Sequence, residues 1–135
     1  MNDLDSKIID VHLSGCTVID DHKLLLLKKF KNSYYELPGG KNNPGEDIVT
    51  AAVREVKEEI GCDVKIIGSF GFYDFVHKGK NVRSNMFIAE LIGPPHIAET
   101  EIFESMIWMP LDKYMDYDLA PNVLYFCKNY LNLKN

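Results

Sequence analysis

Three glutamates, Glu55, Glu58 and Glu59, lie in a stretch that reads as a helix. Residues 47–60, DIVTAAVREVKEEI, begin with acidic residues, contain no glycine or proline, and are followed by Gly61. At ~100° per residue the three carboxylates fall within an arc of roughly 100°. They sit beside an apolar stripe of Val49, Ala52, Val53, Val56 and Ile60 that is expected to pack on a sheet. Like charges at i,i+3 and i,i+4 repel, so the cluster is either a solvated acidic face or a cation site. Hard Mg²⁺ takes oxygen ligands, uses few carboxylates, keeps waters and adds substrate phosphates. Ahead of the helix, Gly39-Gly40 opens a loop, KNNPGE over 41–46, where backbone can approach a ligand closely. A carboxylate cluster on a rigid helix behind such a loop suits metal-assisted phosphate chemistry. The loop lacks the G-x-x-x-x-G-K-[ST] phosphate-binding pattern and lies too far ahead to wrap phosphates onto the helix N-terminus.

The spacing of these residues carries a resemblance. Gly40, then Glu46, then Arg54-Glu55-Val56, Glu58-Glu59, Gly61 and Cys62 resembles the Nudix box of the MutT-related pyrophosphohydrolases, over residues 40–62. The one departure is Cys62, where an aliphatic residue is usual, and a thiol there packs as a small hydrophobe. Trp108-Met109-Pro110-Leu111 also looks like the family. The resemblance implies an α+β fold, the Nudix α/β/α sandwich with a mixed β-sheet, as one domain over residues 1–135. It implies cleavage of a diphosphate in a nucleoside diphosphate derivative, with Mg²⁺ as cofactor and Mn²⁺ as the alternative. Glu55, Glu58 and Glu59 correspond to the metal-holding carboxylates, and the Gly39 carbonyl to a further ligand. Gly40, Glu46 and Arg54 match the loop and the pair that orients it. The general base comes from the box or from a late loop, where Glu99, Glu101 and Glu104 lie; Glu101 is favoured.

These residues need a scaffold. Residues 7–19 read as a strand, 20–22 as a turn, and KLLLLKKF as a strand whose continuous apolar run predicts burial on both faces. Residues 34–37 are a short extended piece that Pro38-Gly39-Gly40 terminates. Val64–Val76 and Asn81–Leu91 read as strands joined by a turn, followed by a loop over 93–101 and the apolar piece IFESMIWMP. A short helix is expected near 111–117, and a last one after Ala120-Pro121-Asn122. This order predicts a mixed sheet with helices on its faces.

Composition narrows the partners. The chain has 135 residues, with Lys+Arg 15 against Asp+Glu 20 and a net charge of −5. A global basic field for a nucleic-acid polymer or an anionic membrane is absent. A nucleotide-type small molecule is the expected partner, and a monomer or homodimer the expected state. The three cysteines form no Cys-x-x-Cys pair, and MNDLDSK has no signal-peptide pattern, so a cytoplasmic location is expected. Asn122 resembles the asparagine that reads a purine base in some MutT-type enzymes; otherwise it is a helix N-cap. Arg83 suits bidentate phosphate binding or a surface strand, and Lys41 is a phosphate or metal-water contact. Phe72, Tyr73 and Phe75 either stack a base or pack in the core. The stretch His77–Lys80 lacks the proline or tyrosine marker of ADP-ribose and dinucleoside polyphosphate branches. That tilts the expectation to nucleoside triphosphates, oxidised purine dNTPs among them. The alternatives are ADP-ribose or another nucleotide-sugar or dinucleoside polyphosphate, and a catalytically idle nucleotide-sensing module.

Overall fold

The computed structural model describes residues 8–134. The MNDLDSK segment, on which the signal-peptide expectation rests, lies outside them. In chain order the elements are β1 (Val11–Asp20), β2 (Lys23–Lys29), β3 (Gly39–Lys41), α1 (Ile48–Ile60), β4 (Asp63–His77), β5 (Lys80–Ile92), β6 (Phe103–Pro110), a 3₁₀ turn (Leu111–Asp116) and α2 (Pro121–Lys134).

The strands form one mixed sheet in the order β4-β5-β1-β2-β6, with β3 alongside β1. β1 runs parallel to β5, and the other pairs are antiparallel. Two hairpins close with two-residue turns whose φ values are positive, 50° and 59° at Asp21-His22 and 51° and 77° at Lys78-Gly79. That handedness matches the twist of the flanking strands.

The helices cover opposite faces. Leu25 and Leu27 point to the α1 side with Ala52, Val56 and Ile60. Leu24 and Leu26 point to the α2 side with Val123, Phe126 and Cys127. All four leucines are fully buried, which accounts for the unbroken apolar run in this strand. Cys62 packs in the α1-side core at 7% exposure.

Three features of the fold depart from the sequence expectation. Val49 is 43% exposed, because the sheet leaves the first turn of α1 uncovered, and Ala51 is buried instead. Residues 39–41, read as a terminator and loop, form β3, which pairs Gly39 with Gly15 and Gly40 with Ser14. A Cβ at Gly39 would lie 2.6 Å from the Ser14 carbonyl oxygen, and one at Gly15 would lie 2.6 Å from that of Pro38. Only glycines permit this backbone contact. The last helix starts at Pro121, with Val123 and Leu124 N–H groups donating to the Ala120 carbonyl. Proline suits the first helical position, so Asn122 lies inside the helix and is not its cap.

Candidate active site

α1 is fixed at both ends. The Asp47 carboxylate accepts from Thr50 N–H at 2.8 Å, and Gly61 closes the helix in the left-handed conformation, φ 71°. Both are preferred capping arrangements. Thus anchored, the helix presents its three glutamates at graded depths. Glu59 is 5% exposed, Glu55 is half-buried, and the Glu58 side chain is 48% exposed.

Arg54 holds this face together. Its Nε and Nη2 donate to the two oxygens of Glu46 at 2.7 and 2.9 Å. Nη1 donates to Glu55 and to Glu58, both at 3.0 Å, and Nη2 also reaches the Lys41 carbonyl at 3.1 Å. All five guanidinium N–H groups are thereby engaged. Glu46 also accepts from Asn43 N–H at 2.9 Å. Arg54 and that N–H hold the Glu46 carboxyl down at about 2. One cation therefore connects the 41–46 loop to two carboxylates of the helix.

Glu59 faces inward and accepts from Gly39 N–H at 2.7 Å. Burial pushes its pKa up to about 9; the Gly39 bond opposes the shift, while Glu36, Glu55 and Glu99 add to it. Burial also raises Glu55, with Glu58 and Glu99 reinforcing and Arg54 opposing. Hydrogen bonds among the described residues engage Oε1 of each carboxylate and leave Oε2 of each without one. Gly40 lies against Glu55, since a Cβ there would stand 2.6 Å from the carboxyl carbon.

Glu55, Glu59, Glu99 and Glu101 line one depression with Gly39, Gly40, Lys29 and Lys31. Four carboxylates around one hollow repel one another, and a hard cation relieves that repulsion. The donor set fits such an ion: carboxylate oxygens in small number with room for water and phosphate. Among the described residues no three acidic, His or Cys side chains are already drawn into a metal cluster; Glu58 is turned to Arg54. Glu104 pairs with Lys28 at 2.6 Å and does not line the hollow.

The remaining candidates divide. Asn122 lines a neighbouring cavity of about 760 Å³ that shares Lys29, Lys31, Gly39 and Gly40 with the depression. Tyr34, Phe75 and Ser84 also line it. Lys41 is exposed, and its carbonyl rather than its amine enters the Arg54 network. Arg83 donates to both oxygens of Asp74 at 2.8 and 2.9 Å, with its guanidinium 3.8 Å from the centre of the Phe72 ring. It lines neither hollow. Tyr73 packs against Tyr125 on the α2 side. Sequence reasoning did not identify Lys29, Lys31 or Ser84. Their positions follow from which ends of β2 and β5 reach the hollows, and no local pattern marks them.

A mixed sheet between two helices, with an Arg-clamped glutamate helix behind a Gly-Gly strand, defines an α+β fold with a built acidic site. Residues 13–129 match the NUDIX domain, and the chain belongs to the Nudix family. It is 41% identical over 66 residues to the putative 8-oxo-dGTP diphosphatase YtkD of Bacillus subtilis, a match over 49% of this chain and 42% of that protein. It is 30% identical over 145 residues to an ADP-ribose pyrophosphatase of Methanocaldococcus jannaschii, covering 97% of this chain and 82% of that one. The MutT protein from Methanosarcina mazei Go1 shares the fold at TM-score 0.80 and 22% identity, over 93% of this chain and 95% of that one. No helix among the described residues is long and apolar enough to cross a membrane.

Proposed function

We propose that the protein is a Mg²⁺-dependent pyrophosphohydrolase that cleaves a diphosphate linkage in a nucleoside diphosphate derivative. A nucleoside triphosphate, oxidised purine dNTPs among them, is converted to the monophosphate. The observation that carries this reading is that Arg54 holds Oε1 of Glu55 and Gly39 N–H holds Oε1 of Glu59, which among the described residues leaves Oε2 of each without a hydrogen bond beside a hollow rich in carboxylates. Glu55, Glu59 and the Gly39 carbonyl would hold the cation, with Glu58 joining when it leaves Arg54; Mn²⁺ suits the same oxygens. When bound, the cation supplies charge neutralisation for the diphosphate and Lewis acidity toward the attacking water.

The chain's own residues do the rest. Arg54 and Glu46 fix the loop and aim the carboxylates, and Gly40 lets Glu55 approach the strand. Lys29 and Lys31, on the wall shared by the two hollows, are placed to meet phosphate charge. Asn122 reads the base with both faces of its amide. A carboxylate of the 99–101 segment takes the proton from the attacking water. Glu99 and Glu101 both line the hollow, and the sequence favours Glu101 for that role. Lys41 and Arg83 have a weaker claim to substrate, since Arg83 is held by Asp74. The three free cysteines, all buried, suit a reducing cytoplasm.

The match to an ADP-ribose pyrophosphatase over 97% of the chain favours ADP-ribose as a second substrate reading. A panel of dNTPs, oxidised dNTPs, ADP-ribose and diadenosine polyphosphates decides between them, scored for released phosphate or pyrophosphate with Mg²⁺, with Mn²⁺ and with chelator. Hydrolysis of a triphosphate that the chelator abolishes is expected. No turnover of any member with either metal would sink the enzyme reading and favour the sensing module.

A further inference from the structure

Ser84 is a buried hydroxyl where packing alone does not call for one. It lies within β5 at 3% exposure, on the same face as the fully buried Met86 of the α2-side core. Its cross-strand partners are Leu13 on β1 and Tyr73 on β4. A buried hydroxyl without a partner is unfavourable, and here the partner comes from the far end of the chain. Asn122 Nδ2 donates to Ser84 Oγ at 3.0 Å. That bond ties one end of the amide to β5. Both residues line the same cavity.

We propose that Ser84 is the positioning residue for base selection, holding the Asn122 side chain in one conformation at the cavity wall. This rests on the reading that Asn122 contacts the base. An amide offers a donor and an acceptor side by side, and a purine edge accepts them in one order. Free to rotate about its side-chain bonds, Asn122 would meet the base in several poses, and the preference for one edge would be diluted. The Ser84 bond restricts that freedom before the nucleotide arrives, so less ordering of the side chain is left for binding to accomplish. Arg83, the next residue along β5, belongs to the opposite face with Asp74 and Phe72, so the strand gives the cavity its serine and keeps its cation out.

The test is calorimetric binding of dGMP and dCMP in Mg²⁺ buffer to wild type, Ser84→Ala, Asn122→Ala and the double variant. Wild type should favour dGMP, and Ser84→Ala should cut the dGMP-to-dCMP affinity ratio by about two- to tenfold, the range one hydrogen bond spans. In the Asn122→Ala background, Ser84→Ala should change the ratio by less than about twofold, since its effect passes through the amide. A ratio untouched by Ser84→Ala but collapsed by Asn122→Ala overturns the positioning role and leaves the base reading intact. Equal weakening of both nucleotides by Ser84→Ala marks a structural staple and likewise overturns it. A ratio that survives Asn122→Ala, or a wild type that does not prefer dGMP, overturns the base reading itself and this inference with it.

Discussion

Gly40→Ala should disable the site while sparing the fold. Gly40 is not among the positive-φ glycines, so alanine meets no backbone strain there. The difficulty is spatial: the new Cβ would stand 2.6 Å from the Glu55 carboxyl carbon and 3.0 Å from Oε1. Restoring ordinary contact moves the carboxylate by ~1 Å, a misplacement of the kind that costs about 10²-fold in rate. Glu55 cannot yield freely, because Arg54 holds Oε1 at 3.0 Å. On stability the effects nearly cancel. A compatible Gly→Ala change stabilises by about 0.4–1 kcal/mol through the unfolded chain, and loss of the Arg54–Glu55 bond costs about 0.5–1.5 kcal/mol. The assay is kcat/KM on the best substrate of the panel beside a thermal melt. Expected is a loss of about 10²-fold in kcat/KM with Tm within ~5 °C of wild type. A kcat/KM within about threefold of wild type would show that Glu55's position does not matter. A melt lowered by more than ~10 °C would show that the damage is to the strand.

Four further outcomes follow from the same network. Glu59→Gln should remove most turnover yet keep or raise Tm, because the amide still accepts from Gly39 N–H and no longer buries an ionisable carboxyl; full turnover would remove Glu59 from the site. Arg54→Lys should lower kcat far more than it raises KM, since a point charge cannot replace a fork bonded to three carboxylates; a KM effect alone would make Arg54 a substrate ligand. Glu46 has a folded pKa depressed to about 2 against ~4.3 unfolded. Its stabilising contribution is therefore complete above ~4.3 and is lost as pH falls towards 2. Melts across that range should fall less steeply for Glu46→Gln, and identical slopes would contradict the Arg54 pairing. Glu101→Gln should lower kcat far more than Glu99→Gln, and the reverse result would pass the base to Glu99.

The chemistry-bearing helix was legible in the sequence because its signals are local. Asp47 opens it, Gly61 stops it and the glutamate spacing repeats at helical period, so all three carboxylates could be placed before any contact was known. The four-leucine run of β2 was equally readable, since burial on both faces leaves no alternation to confuse. What stayed hidden depends on residues distant in sequence. β3 exists because Gly39 meets Gly15, and a Gly-Gly pair reads locally as a break. Glu59's burial beneath the Gly39 N–H, at 2.7 Å, cannot be separated by periodicity from the exposure of Glu58. Asn122 looked like a cap because Asn caps often, yet proline took the first helical position and left its amide for Ser84.

The parallel pairing of β1 with β5 also governs how the molecule reaches this state. Val11 pairs with Val82 and Val18 with Ala89, so the central strand waits for a partner synthesised long after it. β4 and β5, joined through Lys78-Gly79, can zip locally at once. β1 must close a long loop before any such contact compensates the lost chain entropy. Until then its apolar edge, along with the leucine run of β2, is open to other chains. The acidic hollow is completed later still, because Glu99, Glu101 and Phe103 line it and follow β5 in the chain. A nascent chain thus holds no complete hollow until residues 99–103, beyond β5, have emerged.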